Sequence, residues 1–136
     1  MENKKIIIDA KNGSFGRIAS FAAKNALEGN EVVIVNSEKA IITGSKKNVI
    51  EKYSILRDKG GHSQKGPKVI RLPHRVLKRG IRGMLPDHRK GIGKQAFLKI
   101  KCYDGIPKEF KDGKMEKMES IKHDKFITLK ELTEKI

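Results

Sequence analysis

The run Val32-Val33-Ile34-Val35 constrains the fold more than any other feature of the chain. A strand with one face in water alternates apolar and polar side chains, because successive residues point to opposite faces. Four consecutive β-branched residues leave no polar face, which is the pattern of a parallel strand covered on both sides. A parallel neighbour demands a crossover, and the preceding residues supply one. Ile6-Ile7-Ile8-Asp9 reads as a first strand and Gly13-Ser14-Phe15-Gly16 as a turn. Phe15, Ile18, Ala19, Ala22 and Ala26 then recur at helical spacing until Gly29-Asn30 stops the pattern. Strand, helix and strand in this order make a βαβ unit, for which a right-handed crossover is expected.

The rest extends that unit. Ala40-Ile41-Ile42-Thr43 is expected to add a third piece to it, and Gly44-Ser45 leads into a helix over Lys46 to Leu56. The alternating Phe97-Leu98-Lys99-Ile100-Lys101-Cys102-Tyr103 predicts a further strand. Thr128-Leu129-Lys130-Glu131 is a capping-box pattern that opens a last short helix. The expectation is an α/β domain with helices on both faces. At 136 residues there is room for one domain with a modest core. It is read as a single unit over 1–136, with a basic insert over about 57–96 and a variable tail over about 108–136.

Charge identifies the partner. Thirty-one Lys and Arg against sixteen Asp and Glu give a net +15, a self-repulsion that a polyanion relieves. The excess is local. Residues 57–101 hold fourteen basic side chains and two acidic ones, Asp58 and Asp87, while residues 104–136 hold eight of each. Six of the seven arginines, Arg57, Arg71, Arg75, Arg79, Arg82 and Arg89, lie in that middle third. A guanidinium pairs bidentately with phosphate and stacks on bases, so this concentration points to nucleic acid.

Pro73 suits a helix start and Pro86 a stop, which predicts a helix over His74 to Leu85. At 100° per residue, Arg75, Lys78, Arg79 and Arg82 share one arc, and Leu77, Ile81, Met84 and Leu85 share an adjacent one. One side packs and the other binds. Gly80 and Gly83 inside this helix each cost about 1 kcal/mol relative to Ala. Their bare backbone is expected to admit RNA or a neighbouring segment. The stretch Gly60-Gly61-His62-Ser63-Gln64-Lys65-Gly66-Pro67 is expected to be a loop that orders on RNA.

Other classes fit poorly. No apolar run approaches the roughly 18 residues that span a bilayer. Met1-Glu2-Asn3-Lys4-Lys5 lacks the apolar stretch of a secretory signal. The single cysteine, Cys102, allows no internal disulfide and suits a reducing, cytosolic setting; it is read as a packed core thiol. His62, His74, His88 and His123 show no metal-ligand spacing and are read as surface or RNA-facing. A nucleotide-dependent enzyme is the rival from another class. Gly13-Ser14-Phe15-Gly16 is not the full Gly-x-Gly-x-x-Gly, however, and Gly44-Ser45-Lys46 lacks the earlier glycine of a P-loop. No enzyme activity, cofactor, metal, membrane or small-molecule substrate is expected.

Three stretches carry a family resemblance. The first is Asp9-Ala10 through Phe15-Gly16-Arg17-Ile18-Ala19-Ser20, and the second Ile34 through Ile42-Thr43-Gly44. The third and most specific is Leu72-Pro73-His74-Arg75 through Arg79-Gly80-Ile81-Arg82-Gly83-Met84-Leu85-Pro86. It is followed by Arg89-Lys90-Gly91 and later by Gly105-Ile106-Pro107. In this order they resemble the universal large-subunit ribosomal protein thirteen family in its archaeal and eukaryotic form. The resemblance implies a three-layer α/β/α domain around a four-stranded, mostly parallel sheet, with the basic loop-helix insert and a short C-terminal helix. It further implies a cytoplasmic structural constituent of the large ribosomal subunit that binds its rRNA, supports assembly and touches neighbouring large-subunit proteins. An extra-ribosomal, RNA-binding translational regulator is the alternative use of the same face. The expected rRNA contacts are Arg71, Arg75, Lys78, Arg79, Arg82, Arg89, Lys90 and Lys94, with Lys65 and Lys68 on the loop before them. His74 and Gly83 lie among these, and Arg17, Lys46 and Lys47 extend the patch. With few aromatics for a stacking platform, shape recognition is expected.

Overall fold

The computed structural model describes residues 4–59, 65–111, 113–117 and 125–136. Strand β1 (Lys5–Asp9), helix α1 (Phe15–Leu27) and strand β2 (Glu31–Val35) form the expected βαβ unit, with Ile8 opposite Ile34 in parallel register. The helix ends where Gly29 takes φ 96°, its N–H bonding to the Ala26 carbonyl, so the glycine stop acts as its residue type predicts. In chain order there follow β3 (Ile41–Thr43), α2 (Lys46–Asp58), α3 (Pro73–Gly83), α4 (Gly91–Leu98), β4 (Ile100–Cys102), β5 (Met115–Lys117), β6 (Phe126–Thr128) and α5 (Leu129–Lys135).

The main sheet has the order β4-β2-β1-β5, and each of its pairings is parallel. Strand β2 is therefore internal. Its alternate residues serve two cores. Val32 and Ile34 join Ile8, Ile18, Ala22, Leu77, Ile81 and Ile100 on one face, while Val33 and Val35 meet Phe110, Ile7, Tyr103 and Met115 on the other. Burying an aliphatic side chain of this size stabilises by about 1.5–3 kcal/mol. Helices α1 and α3 cover the first face. The short 3-10 turn Lys108–Phe110 supplies the layer on the second, with Phe110 only 6% exposed. These are the three layers of the expected α/β fold.

Two expected strands are corrected. Ile41–Thr43 does not extend the main sheet: it pairs antiparallel with β6 in a separate two-stranded ribbon, Ile42 opposite Ile127. The main-sheet place beside β1 is taken by β5. Phe97 and Leu98 belong to α4, so the strand after the basic insert keeps only Ile100–Cys102. Gly93 explains this. A Cβ there would come within 2.7 Å of the Pro86 carbonyl carbon, so the glycine lets a helix pack on the turn that precedes it.

Helix α3 packs largely on the expected side. Leu77 and Ile81 are buried, Leu85 packs partly against the same core, and Val76 joins them. Met84 is 46% exposed, because the helix ends at Gly83 and Met84 caps it. Gly80 lies on the packed side: a Cβ there would lie 2.6 Å from Cε1 of Phe15, so α1 seats its first aromatic ring against bare α3 backbone. Gly80 admits a neighbouring helix. Gly83, by contrast, has nothing within 4 Å of where a Cβ would stand.

Helix α5 starts as predicted, with the Thr128 hydroxyl accepting the Glu131 N–H at 3.2 Å. Only half of the capping box forms, because the Glu131 carboxylate turns instead to Lys46 at 3.2 Å and Lys135 at 3.4 Å. The Lys46 hydrogen bond, seconded by Lys135, holds the Glu131 carboxyl below its ordinary range.

Two predictions follow from this packing. Gly80→Ala should lower stability by roughly 1–2 kcal/mol, the cost of overpacking exceeding the gain in helix propensity. Gly83→Ala should be neutral or stabilising by up to about 1 kcal/mol. Urea midpoints measure both, and equal effects would count against the Phe15 contact. A carboxyl held low in the folded state contributes stability above its ordinary pKa, near 4.3, that is lost as pH falls through the folded value. Lys46→Gln should therefore reduce the drop in urea midpoint between neutral and acidic buffer.

Candidate nucleic-acid interface

The cationic face is built on α3. Val76, Leu77 and Ile81 tie this helix to the core, so the opposite arc faces outward on a fixed backbone. Its side chains meet the segment before it across a cleft of about 180 Å³, lined by Lys68, Val69, Ile70, Arg75, Val76, Lys78, Arg79, Arg82 and Phe97. Five of the expected residues, Lys68, Arg75, Lys78, Arg79 and Arg82, therefore converge, and among the described residues no acidic side chain lines the cleft. Arg79 ties the two walls together, its Nη1 donating to the Lys68 carbonyl at 3.4 Å. It also lies near Tyr53 of α2, whose phenol is pushed up by burial and partly drawn back by the Arg79 charge. Lys78 Nζ stands 4.9 Å from the centroid of the Phe97 ring.

A second groove, of about 410 Å³, adjoins the first through Lys68 and Val69 and is lined also by Arg57, Asp58, Lys59, Gly66 and Pro67. Arg57 and Lys59 were outside the expected contact set, because the end of α2 and the following segment are far from α3 in sequence spacing. The apolar floor of the first cleft was missed for a related reason. Phe97 was read as a strand residue, and Val69 and Ile70 lie in a segment with no regular period.

The remaining expected contacts divide. Lys65, Arg89, Lys90, Lys94, Lys47 and Arg17 are exposed and outside the cleft, on the loop before α3, on the turn and helix after it, and at the starts of α2 and α1. Gly83 ends α3 and is open. Three others have protein partners. Arg71 donates to the carbonyls of Thr133 and Glu134 at 3.4 and 3.5 Å, closing the last turn of α5. His74 Nδ1 lies 2.8 Å from Asp104 Oδ2, and Lys46 is bonded to Glu131. Of the loop expected to order on RNA, 60–64 lies outside the described residues, as do His62 and His123.

Helix starts add to the electrostatics. None of α1, α2, α3 or α4 has an acidic residue in its first turn or a side-chain hydrogen bond from its N-cap, although Ser14 and Ser45 occupy two of those caps. Instead Arg17, Lys46, Lys47 and Arg75 lie there, against the preference of a helix dipole for negative charge at this end.

The features considered for catalysis are structural. Gly13 is buried, its N–H bonding to the Ala10 carbonyl and its own carbonyl accepting from Ile41, so the segment is a tight turn that anchors β3. Burial pushes the Cys102 thiol up to about 12, which keeps it a protonated core group, as expected.

With this geometry in hand, known proteins were compared with the chain. Residues 3–109 match the family model described as ribosomal protein L13. Proteins named large ribosomal subunit protein uL13 are similar over much of the chain. That of Thermoplasma volcanium is 41% identical over 133 residues, covering 96% of both chains. That of Archaeoglobus fulgidus is 39% identical over 133 residues, covering 93% of this chain and 84% of its own. That of Methanococcus maripaludis is 45% identical over 105 residues, covering 75% of this chain and 76% of its own. The sheet, the arginine-bearing helix and the matched span agree, and the chain belongs to the ribosomal protein L13 family.

Proposed function

We propose that this chain is a constituent of the large ribosomal subunit that binds large-subunit rRNA through the face of α3 and supports subunit assembly. Membership of the family makes it a structural ribosomal protein and not an enzyme. The observation that carries the RNA reading is the convergence of Lys68, Arg75, Lys78, Arg79 and Arg82 on one cleft without a lining carboxylate. Among the described residues no carboxylate lines that cluster, and RNA phosphates supply the missing charge. Arg89, Lys90, Lys94, Lys65, Lys47 and Arg17 extend the contact as exposed phosphate ligands, and Gly83 leaves room for a backbone beside them. Arg71, His74 and Lys46 lie outside the cleft and act partly through the protein, by holding α5, Asp104 and Glu131.

The basic first turns of α1, α2 and α3 support the same reading. A cation at a helix start costs roughly 0.3–1 kcal/mol, and an RNA phosphate lying against both the cation and the free N–H groups converts that cost into attraction. Neighbouring large-subunit proteins are further partners in this proposal, which places the protein in the cytoplasmic ribosome.

If about eight phosphates are engaged, log affinity for deproteinised large-subunit rRNA should fall against log salt with a slope of roughly −5 to −7. Arg82→Ala should weaken binding and incorporation into subunits more than Lys114→Ala, since Lys114 is exposed and lies outside the cleft. A slope near zero, or equal losses in the two variants, would refute the mapped face.

A further inference from the structure

We infer that the cleft on α3 holds one unstacked nucleobase, so that this face selects an unpaired nucleotide as well as neutralising phosphates. The inference rests on the RNA reading above and concerns what the cations alone do not explain. A site for phosphates needs a polar, hydrated floor. Beside its cations, this cleft also presents apolar surface, on Ile70 and the half-buried Phe97 ring over the buried Val69 and Val76. Ile70 is 50% exposed amid cations, and neither it nor Phe97 belongs to the hydrophobic core. Their apolar surface gains from burial when an apolar group covers it, and a base offers such a group as a flat face.

Size narrows the occupant. An apolar cavity of about 150 Å³ takes one benzene-sized ring, so the 180 Å³ of this cleft has room for a single base. Duplex RNA keeps its base faces stacked, so only an unpaired nucleotide can offer one. Charge narrows it further. Arg75, Arg79, Arg82 and Lys68 surround the floor without an acid, which matches a ring attached to a phosphodiester on either side. Phe97 is held for the task, with Lys78 Nζ 4.9 Å from its centroid and the His88 ring 5.9 Å away, tilted by 50°.

The test compares two probes of equal length and charge by fluorescence anisotropy: a short single-stranded oligoadenylate, and the corresponding ribose-phosphate oligomer without bases. The native protein should bind the first about tenfold more tightly, the scale of one stacked base, with the same salt slope for both. Ile70→Ser and Phe97→Ala, checked for folding by circular dichroism, should bring the ratio close to one. Equal binding of both probes with a steep slope would overturn the base site and leave the phosphate reading intact. A ratio that survives both substitutions would also overturn it, by putting the base elsewhere. Polyglutamate binding as tightly as oligoadenylate would make the cleft an acidic-polypeptide site instead. Absence of binding by either nucleic-acid probe would remove the phosphate reading and this one with it.

Discussion

Everything in this molecule depends on strand β2 having to be dry on both sides. Four consecutive β-branched residues cannot present a face to water, so one cover must come from each direction. On one side the cover is α1 and α3, which meet through alanines, Phe15 and the bare backbone of Gly80. On the other it is Phe110 on a short 3-10 turn. The consequence for function is indirect but firm. Because α3 uses Val76, Leu77 and Ile81 to close the core, its opposite arc is forced outward, and that arc carries the arginines.

Net charge of +15 is then a question of which cations have been answered inside the protein. Helix α5 shows the ordinary solution: a threonine cap, a glutamate in the first turn, and Arg71 on its final carbonyls. Helices α1 to α4 lack both the bonded cap and the first-turn acid at their starts. A chain selected only for its own stability gains from an acid or a bonded serine at such positions, each worth several tenths of a kcal/mol or more. Unmet preferences at four helices, beside a cleft that no described carboxylate lines, are what the proposed reading assigns to an external anion.

Periodicity made the βαβ unit, the glycine stop, the arginine helix and the terminal helix legible in the sequence, since each follows from side-chain spacing or from one residue's backbone preference. The failures share a cause. Ala40 to Thr43 has the composition of a sheet strand, but which strand it joins depends on β6, some eighty residues later in the chain. Phe97 and Leu98 fit strand alternation and helix equally well, and the Pro86 carbonyl beside Gly93 decides between them. Met84 was placed on the packed arc because spacing carries the helix past Gly83, where it ends. The cations of the site were legible for the same reason its floor was not. Four of the five share α3, whereas Phe97 comes from α4 and Val69 and Ile70 from an irregular segment.

The arrangement of Lys78 shows how such a site stays ready without its ligand. Five like charges around one cleft repel one another, and in the free protein two of them are parked: Lys78 over the Phe97 ring and Arg79 on the Lys68 carbonyl. A cation–π contact at a partly exposed position is worth about 0.5–1 kcal/mol, whereas a hydrogen bond to a charged group is worth about 1.5–3. On the proposed reading, phosphate displaces the parked lysine, and the displacement uncovers the aromatic face for the proposed base. Because α3 is already fixed by its buried side, little backbone ordering remains at that step. The free protein thus keeps its cations apart by contacts strong enough to hold them and, on the proposed reading, weak enough to yield to RNA.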